Sequence, residues 1–402
     1  MKSNTPSIVE SSYRTYYGKL FSALLSQFGA EYITEIEDAI QNSFYKSLKS
    51  WKPNQVPYNK ENWLFIVARN DLLNQIKKQN RLVEDFYLKH NEELDNPTED
   101  LRLKTILFLS MSKNVSSKVK VLFILENIFG LHIKEISECT LLSTDAIYKC
   151  IYRIKQDFFH NTKNIDFDLT YRKVPDPEIF IVEEILYAVF NIGFDSFNEK
   201  VKSTINEDLC LEALAIAKIL SDKFKQTTTK NLLALFCFHL ARIPAKVKDG
   251  KFISFYEQDK TKWVDDFVKL GFHYLEKPEK LDKYYVEALI ASKHMTTLKQ
   301  GVEHWNEIIK LYRILLSLSN SPVIKLNLCY SLYKANRLEE AKTLFEMVEK
   351  ELPGEHFYLS LVKINIFNKK NIDTGKIIGQ VLKNINQKIR REYILRNMSM
   401  EL

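Results

Sequence analysis

At 402 residues with 45% hydrophobic side chains, the chain is too long for one ordinary core and too apolar to be disordered, so two or three domains are expected. Only ten glycines and ten prolines, set among long Leu/Ile/Lys/Glu-rich periods, predict an all-α protein. The formal charge of +7 permits an anionic partner without demanding one, so the placement of the cations matters more than their sum.

In chain order, the spacing of Tyr17, Leu20, Phe21, Leu24, Leu25 and Phe28 predicts an amphipathic helix over 13–28 that Gly29 ends. The stretch TEIEDAIQNSFYKSLKSW predicts a second helix, with Thr34 and Glu37 spaced as a capping box. Ile36, Ala39, Ile40, Phe44 and Leu48 fall on its inner face, and Asp38, Gln41 and Asn42 on its outer face. A turn-rich connection, KPNQVPYNKEN, leads to a third helix over 62–81. Trp63, Leu64, Phe65, Ile66, Val67 and Ala68 make its first turns apolar all round, so those turns are expected to be buried. Beyond Arg69, Leu72, Leu73 and Ile76 continue an inner stripe, while Asn70, Asn74, Lys77, Lys78 and Arg81 recur on the other side. Such a ridge of amides and cations suits a sugar–phosphate backbone, because the cations displace counterions and the amides bond to base edges or phosphates. A plain solvated face has the same pattern.

The order of EDAIQNSF, a Trp-Pro connection, and WLFIVARNDLLNQIKKQNR resembles the promoter-melting domain of bacterial sigma factors, most closely the extracytoplasmic-function (ECF) group. That resemblance implies a three-helix domain over 1–82. It puts Asp38, Gln41 and Asn42 at the contact with core RNA polymerase, Asn42 standing where an acidic residue is common. It also implies that Trp51, Arg69, Asn70, Asn74, Lys77, Lys78 and Arg81 engage the minus-ten element and its unpaired strand. Residues 83–100 switch sign, with seven acidic residues against Lys89 as the opposing lysine, and predict an irregular linker. Linkers of the sigma family pass through a basic polymerase channel, and a simple solubilising tether is the other reading.

Two apolar helices, over 101–109 and 116–129, precede LHIKEISECTLLSTDAIYKCIYRIKQDFF. There a short helix holding Ile133 and Ile136, a turn over 140–142 and a Ser143 or Thr144 cap lead into a last helix. That helix buries Ile147, Ile151, Ile154 and Phe158 and exposes Asp145, Tyr148, Lys149, Tyr152, Arg153, Lys155 and Gln156. This is the arrangement that places a helix in the major groove of DNA. It lies where sigma factors carry their minus-thirty-five reader. The resemblance therefore implies a helix-turn-helix domain over 101–162, with Thr144, Asp145, Tyr148, Lys149, Tyr152, Arg153, Lys155 and Gln156 at promoter DNA. Cys150 departs from the arginine usual at its position.

Residues 163–402 predict a further helical domain. ILYAVFNIGF, ARIPAKVKDGKFISFYEQDKTKW and SPVIKLNLCYSLYKANRLEEAKTLFEMVEKELPG resemble the tetratricopeptide-like extension of one subgroup of ECF sigma factors. The last segment also fits a helix-turn-helix repeat of about 34 residues from its own pattern, with Leu328, Cys329 and Leu332 against Ala341, Phe345 and Val348 and Pro353 closing it. FYEQDKTKW, with His239 and Arg242 nearby in sequence, reads as helix-entry capping rather than a ligand pocket.

The five cysteines form no CxxC pair and no zinc spacing, so no metal or cofactor is expected and the thiols read as buried in a reducing cytoplasm. No apolar run approaches the roughly 20 residues needed to span a bilayer, and MKSNTPSIVESSYR lacks the apolar core of a signal peptide. The expected protein is a cytoplasmic, non-enzymatic sigma factor whose partners are core RNA polymerase, promoter DNA, and a regulatory protein or ligand at the carboxy-terminal domain. The competing reading is a stand-alone helix-turn-helix regulator with a helical-repeat binding domain.

Overall fold

The computed structural model describes residues 5–52, 55–79, 101–111, 114–140, 142–161, 174–195, 205–297, 300–351, 357–367 and 387–399, together with 375, 376, 379 and 383. Arg81, the 83–100 segment and Pro353 lie outside them. The described residues are mostly α-helical, as composition predicts, apart from short 3-10 turns and one small hairpin. They form two compact units, 1–189 and 190–402.

The first unit begins with α1 (Thr5–Phe28), α2 (Ile33–Ser50) and α3 (Lys60–Gln79). The α1 stripe of Tyr17, Leu20, Phe21, Leu24, Leu25 and Phe28 is buried, and Gly29 turns the chain at φ 94°. The capping box does not form. A 3-10 turn, Ala30–Tyr32, runs straight into α2 with no side-chain cap, which leaves Glu37 a turn inside the helix and buried. In α2, Ile36, Ala39, Ile40 and Phe44 are buried as expected, but Leu48 lies on the exposed side. The inner row is completed instead by the small Ser43 and Ser47, whose hydroxyls bond back to the Ile40 and Phe44 carbonyls and let α3 approach closely.

Next come α4 (Arg102–Ser110), α5 (Ser117–Asn127), α6 (Ile133–Thr140) and α7 (Thr144–Asn161). They share a core with α1. Phe21 meets Phe123 edge to face at 6.1 Å, and Phe123 meets Phe158 at 5.8 Å. These helices and the α1–α3 bundle belong to one compact unit. The division between units falls inside α8 (Asp176–Phe194), at Val189/Phe190.

In the second unit, α9 (Glu207–Phe224) is capped by Asn206, and α10 (Thr227–Ala241) is buried along most of its length. A short turn, α11 (Ile243–Lys246), leads to antiparallel β1 (Val247–Lys248) and β2 (Lys251–Phe252). Asp249 and Gly250 join these strands at φ 51° and 71°, a left-handed pair that favours this dipeptide in tight hairpins. Helices α12 (Asp265–Tyr274) and α13 (Lys283–Thr296) pack on α10, Gly271 meeting Phe238 so closely that a β-carbon would lie 2.4 Å from its ring.

Helices α14 (Val302–Leu318), α15 (Pro322–Lys334), α16 (Leu338–Glu351) and α17 (Phe357–Ile366) follow, with α18 (Lys388–Ser399) beyond. The expected repeat is α15 and α16. Leu328, Cys329, Leu332, Ala341, Phe345 and Val348 are all buried in one cluster, and Asn336 makes the turn at φ 61°. That cluster also takes in Trp305, Ile308 and Ile309 of α14 and Leu359, Val362 and Ile366 of α17. The helical stacking therefore extends to both sides of the recognisable repeat.

Candidate nucleic-acid interface

Three exposed helix faces of the first unit hold most of the residues singled out from sequence. On α2, Asp38, Gln41 and Asn42 are exposed, and Tyr45 and Leu48 continue the same row. The Lys49 ammonium lies 4.1 Å from the centre of the Tyr45 ring. Asn42 is tied down rather than free: its amide donates to Asp71 of α3 at 2.9 Å, and Gln75 and Lys46 reach the same carboxylate. These donors hold the Asp71 carboxyl below its ordinary pKa despite some burial. A carboxylate at position 42 would face Asp71, which accounts physically for an amide at this place.

On α3, Asn59 starts the helix by accepting the Asn62 N–H at 2.9 Å. Leu64, Phe65, Ala68, Leu72 and Ile76 are buried. The first turns are not apolar all round inside a core, because Ile66 is 48% exposed. Ile66, Asn70, Asn74, Lys77 and Lys78 instead form one exposed row at helical spacing, with Arg69 half-buried beside it. Trp51 does not join this surface. It is 2% exposed and packs edge to face on Trp63 at 5.5 Å, so it closes the core under the connection and positions it. The exposed aromatic of that connection is Tyr58, whose ring stands fully in solvent. Sequence reasoning passed over Tyr58. The available signal was an aromatic in a Pro-Tyr-Asn turn, where no core stripe accounts for it.

On α7, Ser143 accepts the Ala146 N–H, and Ser137 donates to the Leu142 carbonyl at 2.6 Å across the turn from α6. Ile147, Ile151, Ile154 and Phe158 are buried, while Thr144, Asp145, Tyr148, Lys149, Tyr152, Arg153 and Gln156 are exposed. Lys155 differs. Its ammonium turns inward and pairs with the Glu37 carboxylate of α2. Its register, one step past the buried Ile154, puts it at the border where a long side chain reaches the neighbouring helix.

Around that pair lies a polar cluster, buried at Tyr17 and Asn127 and partly open elsewhere. Tyr17 donates to Asn127 at 3.3 Å, Arg14 pairs with Glu135 at 2.9 Å, and Tyr13 stacks on His132 at 5.9 Å. Burial, reinforced by the Glu37 charge, pushes the Glu126 carboxyl up to about 7. Burial also raises Glu37, against the pull of Lys155.

In the second unit, FYEQDKTKW staples the chain through hydrogen bonds of its polar residues. Asp259 accepts the Thr261 N–H and hydroxyl, Gln258 bonds to the Ile253 carbonyl, and Lys260 donates to carbonyls at the end of α13, including Thr297 at 2.8 Å. Arg242 lies over the Phe255 ring at 4.0 Å, and burial holds His239 well below its ordinary pKa. A cavity of about 280 Å³ opens beside this segment, lined in part by Lys248, Glu257, Asp259, Lys262 and Arg396. Buried Cys210, Cys237 and Cys329 have thiols pushed up to about 12, so they are poor nucleophiles. Among the described residues no group of His, Cys, Asp and Glu is arranged to hold a metal ion, and no helix is long and apolar enough to cross a membrane.

Residues 179–279 match a family of unknown function, DUF6596. An uncharacterized protein of Rhizobium meliloti (strain 1021) is 24% identical over 341 residues, covering 81% of this chain and 80% of its own length. No solved structure matches.

Proposed function

We propose that the chain is an alternative RNA polymerase sigma factor that binds core polymerase and directs promoter recognition, with a carboxy-terminal helical-repeat domain of the tetratricopeptide-like kind. The observation that carries this reading is the α7 face. Five residues suited to DNA, Tyr148, Lys149, Tyr152, Arg153 and Gln156, share one exposed side of a Ser143-capped helix, in a chain whose preceding helices resemble the promoter-melting domain. The α3 row supplies the second contact. Its cations offset phosphate charge, its amides offer donors and acceptors, and Tyr58 offers a face on which an unpaired base stacks. The exposed α2 row of Asp38, Gln41, Tyr45 and Leu48 is the polymerase contact. The DUF6596 match begins in α8, where the resemblance expects the extension of that ECF subgroup.

Core RNA polymerase should co-purify with the full chain and support run-off transcription from genomic fragments. Asp38→Lys combined with Gln41→Ala should abolish that co-purification while changing stability by no more than about 0.5 kcal/mol, since both side chains are exposed. Undiminished capture by the double variant would refute the assignment of this face. Duplex DNA binding without any capture of polymerase would favour a stand-alone helix-turn-helix regulator instead.

A further inference from the structure

The last helix of the second unit, α18, returns to residues near the start of that unit and completes the cavity beside the hairpin. Arg390, buried in α18, pairs with Asp195 at 2.7 Å, 195 positions earlier in the chain. Tyr393 meets Phe252 of β2 edge to face at 5.1 Å. Arg396 donates to the Phe252 carbonyl at 3.0 Å, and its guanidinium carbon lies 5.4 Å from the centre of the Tyr393 ring. These contacts hold Arg396 in the lining of the cavity. Three segments thus make its wall: the end of α11 with β1, the chain after β2, and α18.

The lining has two characters. Buried Ala245 and half-buried Ile253 are apolar. Lys248, Lys262 and Arg396 are cations, against the carboxylates of Glu257 and Asp259, which leaves one net positive charge. Asp259 is taken up by the Thr261 N–H and hydroxyl, at 3.1 and 2.7 Å. Those hydrogen bonds lower its carboxyl, and the Lys262 and Lys248 charges lower it further, so both ammoniums stand near this residue. Among the described residues neither lysine comes within ion-pair distance of a carboxylate. One of the five guanidinium N–H groups of Arg396 meets the Phe252 carbonyl, and the fork carries four more.

Cations gathered over an apolar floor suit an anion that carries an apolar body. A guanidinium and ammoniums give a carboxylate charge-assisted hydrogen bonds, and the floor takes the rest of the molecule out of water. A dianion such as phosphate suits the lining less, because it meets Glu257 as well and leaves Ala245 and Ile253 uncovered. Volume sets the size. Roughly 150 Å³ is enough for one benzene ring, so about 280 Å³ holds a ring with its carboxylate and little more.

We propose that this cavity is a binding site for a small monocarboxylic acid with an apolar body, its carboxylate held by Arg396, Lys248 and Lys262 and its body resting on Ala245 and Ile253. Arg396 comes from α18 and the other groups from residues 245–262, so a bound acid ties the last helix to the hairpin.

Titration calorimetry of the full chain with sodium benzoate at constant ionic strength tests the site, and no polymerase is needed. Saturable binding to one site is expected, with a dissociation constant of about a millimolar for a ligand of this size. Benzamide has the same shape without the charge and should bind about tenfold more weakly. Lys248→Gln combined with Lys262→Gln should weaken benzoate about tenfold, and Arg396→Gln by at least as much. Lys310→Gln, on the exposed side of α14, should leave its affinity unaltered. Saturating benzoate should also slow amide exchange in α18 and in residues 247–253. Arg396→Gln removes the Phe252 contact and loosens α18 by that route alone; the two lysines are exposed, so their variant reads the cavity without that effect. Absence of saturable benzoate binding would overturn the site. So would equal affinity for benzamide, tighter binding of inorganic phosphate, or full affinity in the double-lysine variant.

Discussion

Gly18 sits in the middle of α1, where a β-carbon would lie 1.8 Å from the Ile128 carbonyl oxygen. Helix propensity alone favours alanine there by roughly 1 kcal/mol. The close approach opposes it, because the clashing atom is backbone and has no rotamer to give. Overpacking of this kind costs about 1–3 kcal/mol and occasionally more, so Gly18→Ala should destabilise the first unit by about 1 kcal/mol net of the propensity gain. Urea denaturation followed by far-UV circular dichroism measures it, and a raised midpoint would mean that α1 and the end of α5 do not meet in solution. Lys155 and Trp51 teach a related lesson at the same scale. Each has the chemistry of a nucleic-acid contact, and each is occupied inside the protein, one by Glu37 and the other by Trp63.

At the scale of elements, α3 and α7 both present amides or cations on one exposed row, but the α7 row also carries Tyr148 and Tyr152. Replacing Lys149 and Arg153 together by alanine should weaken binding to a promoter duplex. It should also flatten the salt dependence, by a slope of about one for each phosphate that a cation no longer neutralises. Replacing Lys77 and Lys78 by alanine should spare duplex binding and impair strand opening, read by permanganate reactivity of unpaired thymines. Normal opening by that second variant would show that the division of labour between the helices is wrong. Both pairs are solvent-exposed, so neither should alter helicity.

Across the whole molecule the two units carry buried titratable groups of opposite sign. Burial pushes Glu126 of the first unit up to about 7 from an unfolded value near 4.5. The folded unit then holds a proton that the unfolded chain gives up, so this contribution is complete below about 4.5 and is lost as pH rises through 7. Burial, with His304, Arg242 and Lys260 nearby, pushes His294 of the second unit down to about 3 from 6.5. There the unfolded chain binds the proton, so the contribution is complete above 6.5 and is lost as pH falls toward 3. Between pH 5 and 6.5, amide exchange corrected for its intrinsic rate should become faster in α5 on raising pH and faster in α13 on lowering it. Glu126→Gln should remove the first trend; a common direction in both helices would contradict these buried environments. The boundary inside α8 bears on truncation as well. A fragment ending at residue 163 loses Ile179, Val182, Ile185, Leu186 and Val189, all buried. It should melt several degrees below a fragment ending at residue 195, by differential scanning calorimetry.

The sequence by itself determined the helical class, most helix positions and the exposed α2, α3 and α7 faces, because a stripe at 3.6-residue spacing is a local property of the chain. It determined the α15–α16 repeat for the same reason, and the Asp249-Gly250 dipeptide already signalled the hairpin that an all-helical reading overlooked. Tertiary structure decided what no periodicity encodes. Leu48 and Ile66 came out because neighbouring helices meet the serine and alanine sides of α2 and α3. Glu37 left its expected cap, and Lys155 of the exposed α7 face turned to it, because the two meet across 118 positions of chain. Pairing of that kind depends on which helices share a core, and the composition of each helix alone does not carry it.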